Sequence, residues 1–155
     1  MRLNIRLFAL ITAIISQPST AQEEIFQVQS QYDVRTTANR LIAAVRVQGL
    51  NVISRTDHGE KMQEKGKDFH FAEMVIFDYP KQGTPLISCS QTAKIELPHK
   101  ALIWEDSERN VWLAYNNPAD VAERHRLDKC DFEIKKVEKT LASLATLATQ
   151  PTPQQ

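Results

Sequence analysis

The chain has 155 residues, with 19 Lys and Arg against 19 Asp and Glu, and four histidines. That is one domain's worth of chain, long enough to bury a real core. It carries no basic excess and no Arg/Lys block, which excludes nucleic acid as an expected partner, because phosphate binding on that scale needs a positive surface.

Residues 1–21 read as an export signal rather than as fold. Arg2 and Arg6 precede the apolar run Leu7 to Ile15, and Ser19-Thr20-Ala21 places small residues before Gln22. The run is too short to span a bilayer comfortably. No later segment is apolar enough, so stable membrane insertion is not expected. Cleavage near Ala21 gives a periplasmic or secreted chain. Loss of Arg2 and Arg6 takes the 19 basic side chains to 17 against 19 acidic, a net charge of −2. Residues 22–150 are expected to form a single domain, and 151–155 a disordered tail.

Ile25 to Ser30 alternates with period two and predicts a strand. Asp33 or Thr36 can cap the helix that follows, whose apolar positions Ala38, Leu41, Ile42 and Val45 share one face. Gly49 supplies a C-terminal stop, and Leu50, Val52 and Ile53 begin a second strand. Residues 57–70 are polar, a loop or short helix. Phe71 to Phe77 predicts a strand, and Asp78 to Gly83 a turn. Thr84-Pro85 reads as an N-cap and first helical position, opening a short helix from Leu86 to about Gln91. Strands at 100–105 and 111–115 form a hairpin around a turn at 107–110. Residues 118–125 make a helical turn or two. Ile134, Val137, Leu141, Leu144 and Ala148 recur at spacings of three and four, the stripe of a final helix packed on the sheet of its own chain.

An oxidising compartment permits a disulfide between Cys89 and Cys130, but their positions do not say whether they meet. Two separate buried thiols are the commoner outcome. No Cys-x-x-Cys is present, so no thioredoxin-like centre is supported.

Gly83-Thr84-Pro85-Leu86, Leu97-Pro98, Trp104-Glu105-Asp106 and Tyr115-Asn116-Asn117-Pro118 occur together with Asp57-His58 and Ala122-Glu123-Arg124-His125. As a set they resemble the DUF302 family, a domain of unknown function, over roughly residues 27–130. The resemblance implies an α+β fold: a strongly curved antiparallel sheet with helices packed on one face, in a TATA-binding-protein-like topology. It also implies a homodimer. It does not imply DNA binding, and it supplies no reaction to carry over. Asp78-Tyr79-Pro80-Lys81 departs from the Asn-Pro-Lys often found in the family at that point.

Imidazole serves as base, acid or metal ligand near neutral pH. His58 at a strand end and His125 after the Asn-Pro turn, with Glu60 or Glu73, form a candidate zinc or copper set. No His-x-x-x-His or His-Glu-x-x-His pattern preorganises them. Lys81-Gln82-Gly83-Thr84 at a helix start suits a small anionic ligand, though the phosphate-loop spacing is absent. Alternation puts Val111, Leu113 and Tyr115 on one sheet face and Trp112 on the other. There Trp112 can pair with Trp104 across the hairpin, or face a ligand or a second subunit. Adjacent Glu105 and Asp106 point to opposite sides and make no acid/base pair. No Gly-x-Ser-x-Gly elbow is present.

The sequence thus supports an exported, dimeric binding or interaction module, with a cleft lined by His58, Lys81, Thr84, Trp112, Tyr115 and His125. The alternative is an envelope metalloprotein or enzyme using His58 and His125. No motif calls for a cofactor, and metal content stays open.

Overall fold

A computed structural model describes residues 25–58, 71–79, 86 and 89–151. The expected export signal, the polar stretch 59–70, the segment with Lys81, Gly83 and Thr84, and the residues from 152 lie outside the described residues. In chain order the elements are β1 (Ile25–Ser30), α1 (Val34–Val47), β2 (Asn51–Asp57) and β3 (Ala72–Asp78). A 3-10 helix (Gln91–Glu96), β4 (His99–Glu105), β5 (Val111–Asn116), α2 (Pro118–His125) and α3 (Asp131–Thr149) follow. Leu86 and Cys89 are both helical, within the short helix expected there.

Local chemistry sets the boundaries. Of the two candidate caps for α1, Asp33 is used: its carboxylate accepts from the Thr36 backbone N–H at 2.8 Å. That bond, with one from the Thr36 hydroxyl, holds the Asp33 carboxyl below its ordinary range. Gly49 ends the helix at φ +74°, the left-handed conformation that glycine adopts without penalty. Asn117 caps α2 through its side-chain oxygen, with Pro118 in the first turn. In the β4–β5 turn the Asp106 carboxylate accepts from the Glu108 and Asn110 backbone N–H groups, and from Trp112 Nε1 at 2.7 Å. Asp106 is therefore the anchor of the hairpin.

The strands form one antiparallel sheet in the order β1-β5-β4-β3-β2. α1 and α3 pack together on one face. Val75, Phe77, Ala101, Ile103, Leu113 and Tyr115 from that face join Ala38, Leu41, Val45, Val137, Leu141 and Leu144 in a single buried cluster. The other face carries Met74, Ile76, Leu102, Trp104 and Trp112, none of which belongs to that cluster. Trp104 sits directly opposite Trp112, as the alternation predicts.

The helices-on-one-face arrangement holds; the saddle does not. The sheet is open, ending at β1 and β2, and is neither closed nor bent as in the TATA-binding-protein-like topology. Strong sheet curvature is built with bulges and glycine kinks. None of the five strands contains glycine, and the register shift falls between Val52 and Ser54, on an edge strand. The central strands lack the devices that would bend them.

The cysteines also depart from expectation. Cys89 and Cys130 are disulfide-bonded, with Cα atoms 6.4 Å apart. The bond ties Cys89, itself helical, to the residue preceding α3.

A cavity at one end of the sheet

β4 begins at His99, which shares its side of the strand with Ala101 and Ile103 and so faces the helices. Phe77 lies beside it with ring centroids 5.9 Å apart, and Tyr79 meets it edge-on at 5.4 Å. Among the described residues, neither His99 Nε2 nor the Tyr79 hydroxyl, both buried, has a hydrogen-bond partner. Burial lowers the His99 pKa to about 4, against a smaller opposing effect from Asp78. The ring is therefore neutral at physiological pH, offering one N–H and one lone pair. Burial likewise pushes the Tyr79 hydroxyl up, and raises Tyr115 to about 12 with help from Glu138.

His99 borders a largely apolar cavity of about 30 Å³, walled also by Leu86, Ala93, Leu97, Tyr115 and Leu141. Roughly 10–15 Å³ of such space holds one water. The cavity therefore accommodates a guest of very few atoms unless its walls part. Glu96 and Pro118 stand at its polar side.

That side is held by a chain of polar contacts. Thr92 Oγ1 lies 2.9 Å from His125 Nδ1, and His125 Nε2 lies 2.9 Å from Glu96 Oε1. Arg124 donates to the same oxygen at 2.7 Å. Burial works to raise the Glu96 carboxyl; the hydrogen bonds and positive charge from His125 and Arg124 outweigh it and leave it lowered. Hydroxyl, imidazole and carboxylate stand in the order of a catalytic relay. Here they join α2 to the 3-10 helix, and Thr92 lies on the exposed side.

The described ones among the sequence-predicted residues are not all brought together. Tyr115 borders the cavity, and His125 braces its wall through Glu96. Trp112 is on the opposite sheet face. His58 follows Asp57, which the register aligns with Glu73 and Ile103, toward the far end of β4 from His99. Strands of six or seven residues therefore separate His58 from His125, a span of roughly 20 Å. Among the described residues no group of three or more His, Cys, Asp or Glu is placed to hold a metal ion. Glu73, offered as a metal partner, instead takes a two-pronged ion pair from Arg55. Lys81 and Thr84 lie outside the described residues, yet Tyr79 and Leu86 bracket them, and both sit at this end of the sheet.

His99, Glu96 and Thr92 were missed as site residues. One signal for His99 was present: it follows Pro98 and keeps the alternation of Ala101 and Ile103, a histidine in core phase. Nothing in the sequence announced that Glu96 and Thr92 would converge on His125.

A solved structure, described as the crystal structure of uncharacterized conserved protein DUF302 from Bacillus stearothermophilus, shares the fold with a TM-score of 0.71 at 18% identity. The match covers 80% of this chain and 97% of that one. Two curated relatives are 40% identical over 100 residues, 64% of this chain. They are Fluoride-specific ion channel FluC 1 of Brucella suis biovar 1 (strain 1330) and Fluoride-specific ion channel FluC 1 of Brucella abortus biovar 1 (strain 9-941). The aligned stretch is 39% and 37% of those proteins, so this chain spans about two fifths of their length. The family described as Domain of unknown function DUF302 matches residues 26–147. On that match, which covers most of the chain, the protein belongs to the DUF302 family.

Proposed function

We propose that the protein is an exported binding module, and that its ligand is a small weak acid or anion of a few heavy atoms held at the His99 end of the sheet. The observation that carries this reading is the buried Nε2 of His99, which has no hydrogen-bond partner among the described residues, beside an apolar cavity. Unsatisfied buried polar atoms are few in native proteins, and a guest that bonds one removes its cost. The sequence Lys81-Gln82-Gly83-Thr84, which lies outside the described residues, suits a negatively charged head group. Ligands of this class, with formate, acetate and fluoride as probes, are expected to give saturable shifts of the His99 imidazole resonances in NMR titration. Shifts that never saturate, with a lone buried water at the site, would reject the reading.

Fluoride is included because of the Brucella relatives. Their printed name denotes a channel, which must cross a membrane. Among the described residues of this chain no helix is long and apolar enough to do so. The name therefore bears on a setting for this module rather than on a channel activity of its own.

Export rests on residues 1–21, with the Cys89–Cys130 disulfide in support, since such bonds persist in oxidising compartments. Amino-terminal sequencing of protein recovered from the periplasm or medium is expected to begin at Gln22. Cytosolic recovery with residues 1–21 intact would count against export.

A second reading concerns self-association. The face with Met74, Ile76, Leu102, Trp104 and Trp112 has no described helix packed on it, and Ile25 and Phe26 are exposed on β1. Apolar surface of this kind supports an interaction module and the homodimer expected from the family resemblance.

A further inference from the structure

The two edges of the sheet are not alike. β2 has the defences that prevent edge pairing: a register shift at Val52/Ser54, and the charged residues Arg55 and Asp57. β1 has none of them. Ile25 to Ser30 contains no charge, no proline and no glycine, and its register against β5 is unbroken. Ile25 and Phe26 are 51% and 44% exposed.

Hydrogen bonds show which backbone groups of β1 point outward. The Gln29 carbonyl accepts from the Gln150 side chain, and the Gln31 N–H donates to the Thr149 carbonyl, both at the end of α3. In an antiparallel strand the outward groups recur at every second residue. The odd-numbered residues therefore face away from β5. Those of 29 and 31 are covered by α3, and those of Ile25 and Gln27, which meet no partner among the described residues, form the open part of the edge.

We propose that a second copy of this chain adds to the open part of β1, antiparallel about a two-fold axis at Phe26. Ile25 then pairs with Gln27 of the second copy, using the two positions whose backbone is outward and uncovered. Phe26 faces its own counterpart. The Phe26 ring stacks on Tyr115 at 5.1 Å, on the helix side of the sheet. A groove walled by Phe26, Tyr115, Pro118, Glu138 and Ala142 opens beside it on that side. The second copy's ring enters that groove, reciprocally, which is the self-complementarity a two-fold interface requires. The product is a continuous ten-stranded sheet with all the helices on one side.

This inference rests on the homodimer reading and assigns its surface. The test is the mass of the mature protein in solution at micromolar concentration, by light scattering, with circular dichroism to confirm folding. Wild type is expected to be a dimer. Phe26→Lys and Phe26→Glu each set like charges opposite one another across the axis, so each alone is expected to halve the mass. Mixing the two restores the dimer by pairing opposite charges, a result that unfolding of either variant cannot produce. Gln27→Pro, which removes an outward N–H and spares the β5 ladder, also halves it. Leu102→Lys, on the uncovered sheet face, leaves the dimer intact. If the Phe26 and Gln27 variants stay dimeric and Leu102→Lys dissociates, the edge assignment falls and the homodimer stands. If wild type is a monomer, both fall.

Discussion

Replacing Cys89 and Cys130 together by serine is expected to cost about 4 kcal/mol of stability, the loop-entropy value for a closure of 41 residues. A domain of this size shifts its Tm by roughly 4 °C per kcal/mol, so a thermal melt should move down by about 15 °C. Adding reductant to the wild type should do the same. The effect is concentrated where the bond acts: it fastens Cys89, three residues along the chain from the cavity-lining Leu86, to the start of α3, which supplies Leu141 to the same cavity. The double variant is therefore expected to lose ligand shifts at His99 before the sheet melts. A Tm unmoved by reductant would show that the bond constrains nothing that the core does not already fix.

Stability is expected to fall as pH drops from about 6.5 to about 4. His99 is neutral in the folded state down to about 4 because burial penalises its charged form, whereas the unfolded chain takes up the proton near the ordinary value of about 6.5. Between those limits the unfolded state binds more protons, so acidification favours unfolding. The contribution is complete above about 6.5, and its loss ends at about 4. The gap converts to roughly 3 kcal/mol at about 1.4 kcal/mol per pH unit. Glu96, held low by His125 and Arg124, adds a further loss only as pH falls through the carboxylate range. His99→Phe should flatten the upper part of the profile in a series of melts. An unchanged slope between pH 6.5 and 5 would mean that His99 accepts its proton without penalty in the folded protein.

Periodicity read the elements well because packing enforces it. The stripe from Ile134 to Ala148 is the buried face of α3, and the Val111/Leu113/Tyr115 alternation is the inner face of β5. Asp33, Gly49 and Asn117 act at chain positions where a single residue type satisfies a backbone need, so they too were legible. The site was less so. His58 and His125 were matched by chemistry alone, and only strand direction and register reveal that they belong to opposite ends of the sheet. The Cys89–Cys130 contact and the Thr92–His125–Glu96 convergence depend on how loops return to the core, which no local pattern encodes. The saddle was carried over with the family resemblance; the strands themselves, free of glycine, pointed to an open sheet.

Arg40 reaches from α1 to the far end of α3. Its guanidinium donates to the backbone carbonyls of Leu147, Ala148 and Gln150 while resting over the Tyr32 ring. These carbonyls are unpaired at a helix end, and a cation there also meets the negative pole of the helix. The Gln31 N–H binds the same turn. Contacts more than 100 residues apart in the chain thus fasten the first strand and first helix to the last helix. Such closures are slow, because loop entropy is lost before any contact is gained. A growing chain has β1 and α1 in hand long before it has the residues that lock them, so these contacts cannot form until residue 150 is free. If the chain is exported as proposed, late closure of this kind is compatible with threading through a narrow translocation pore before folding.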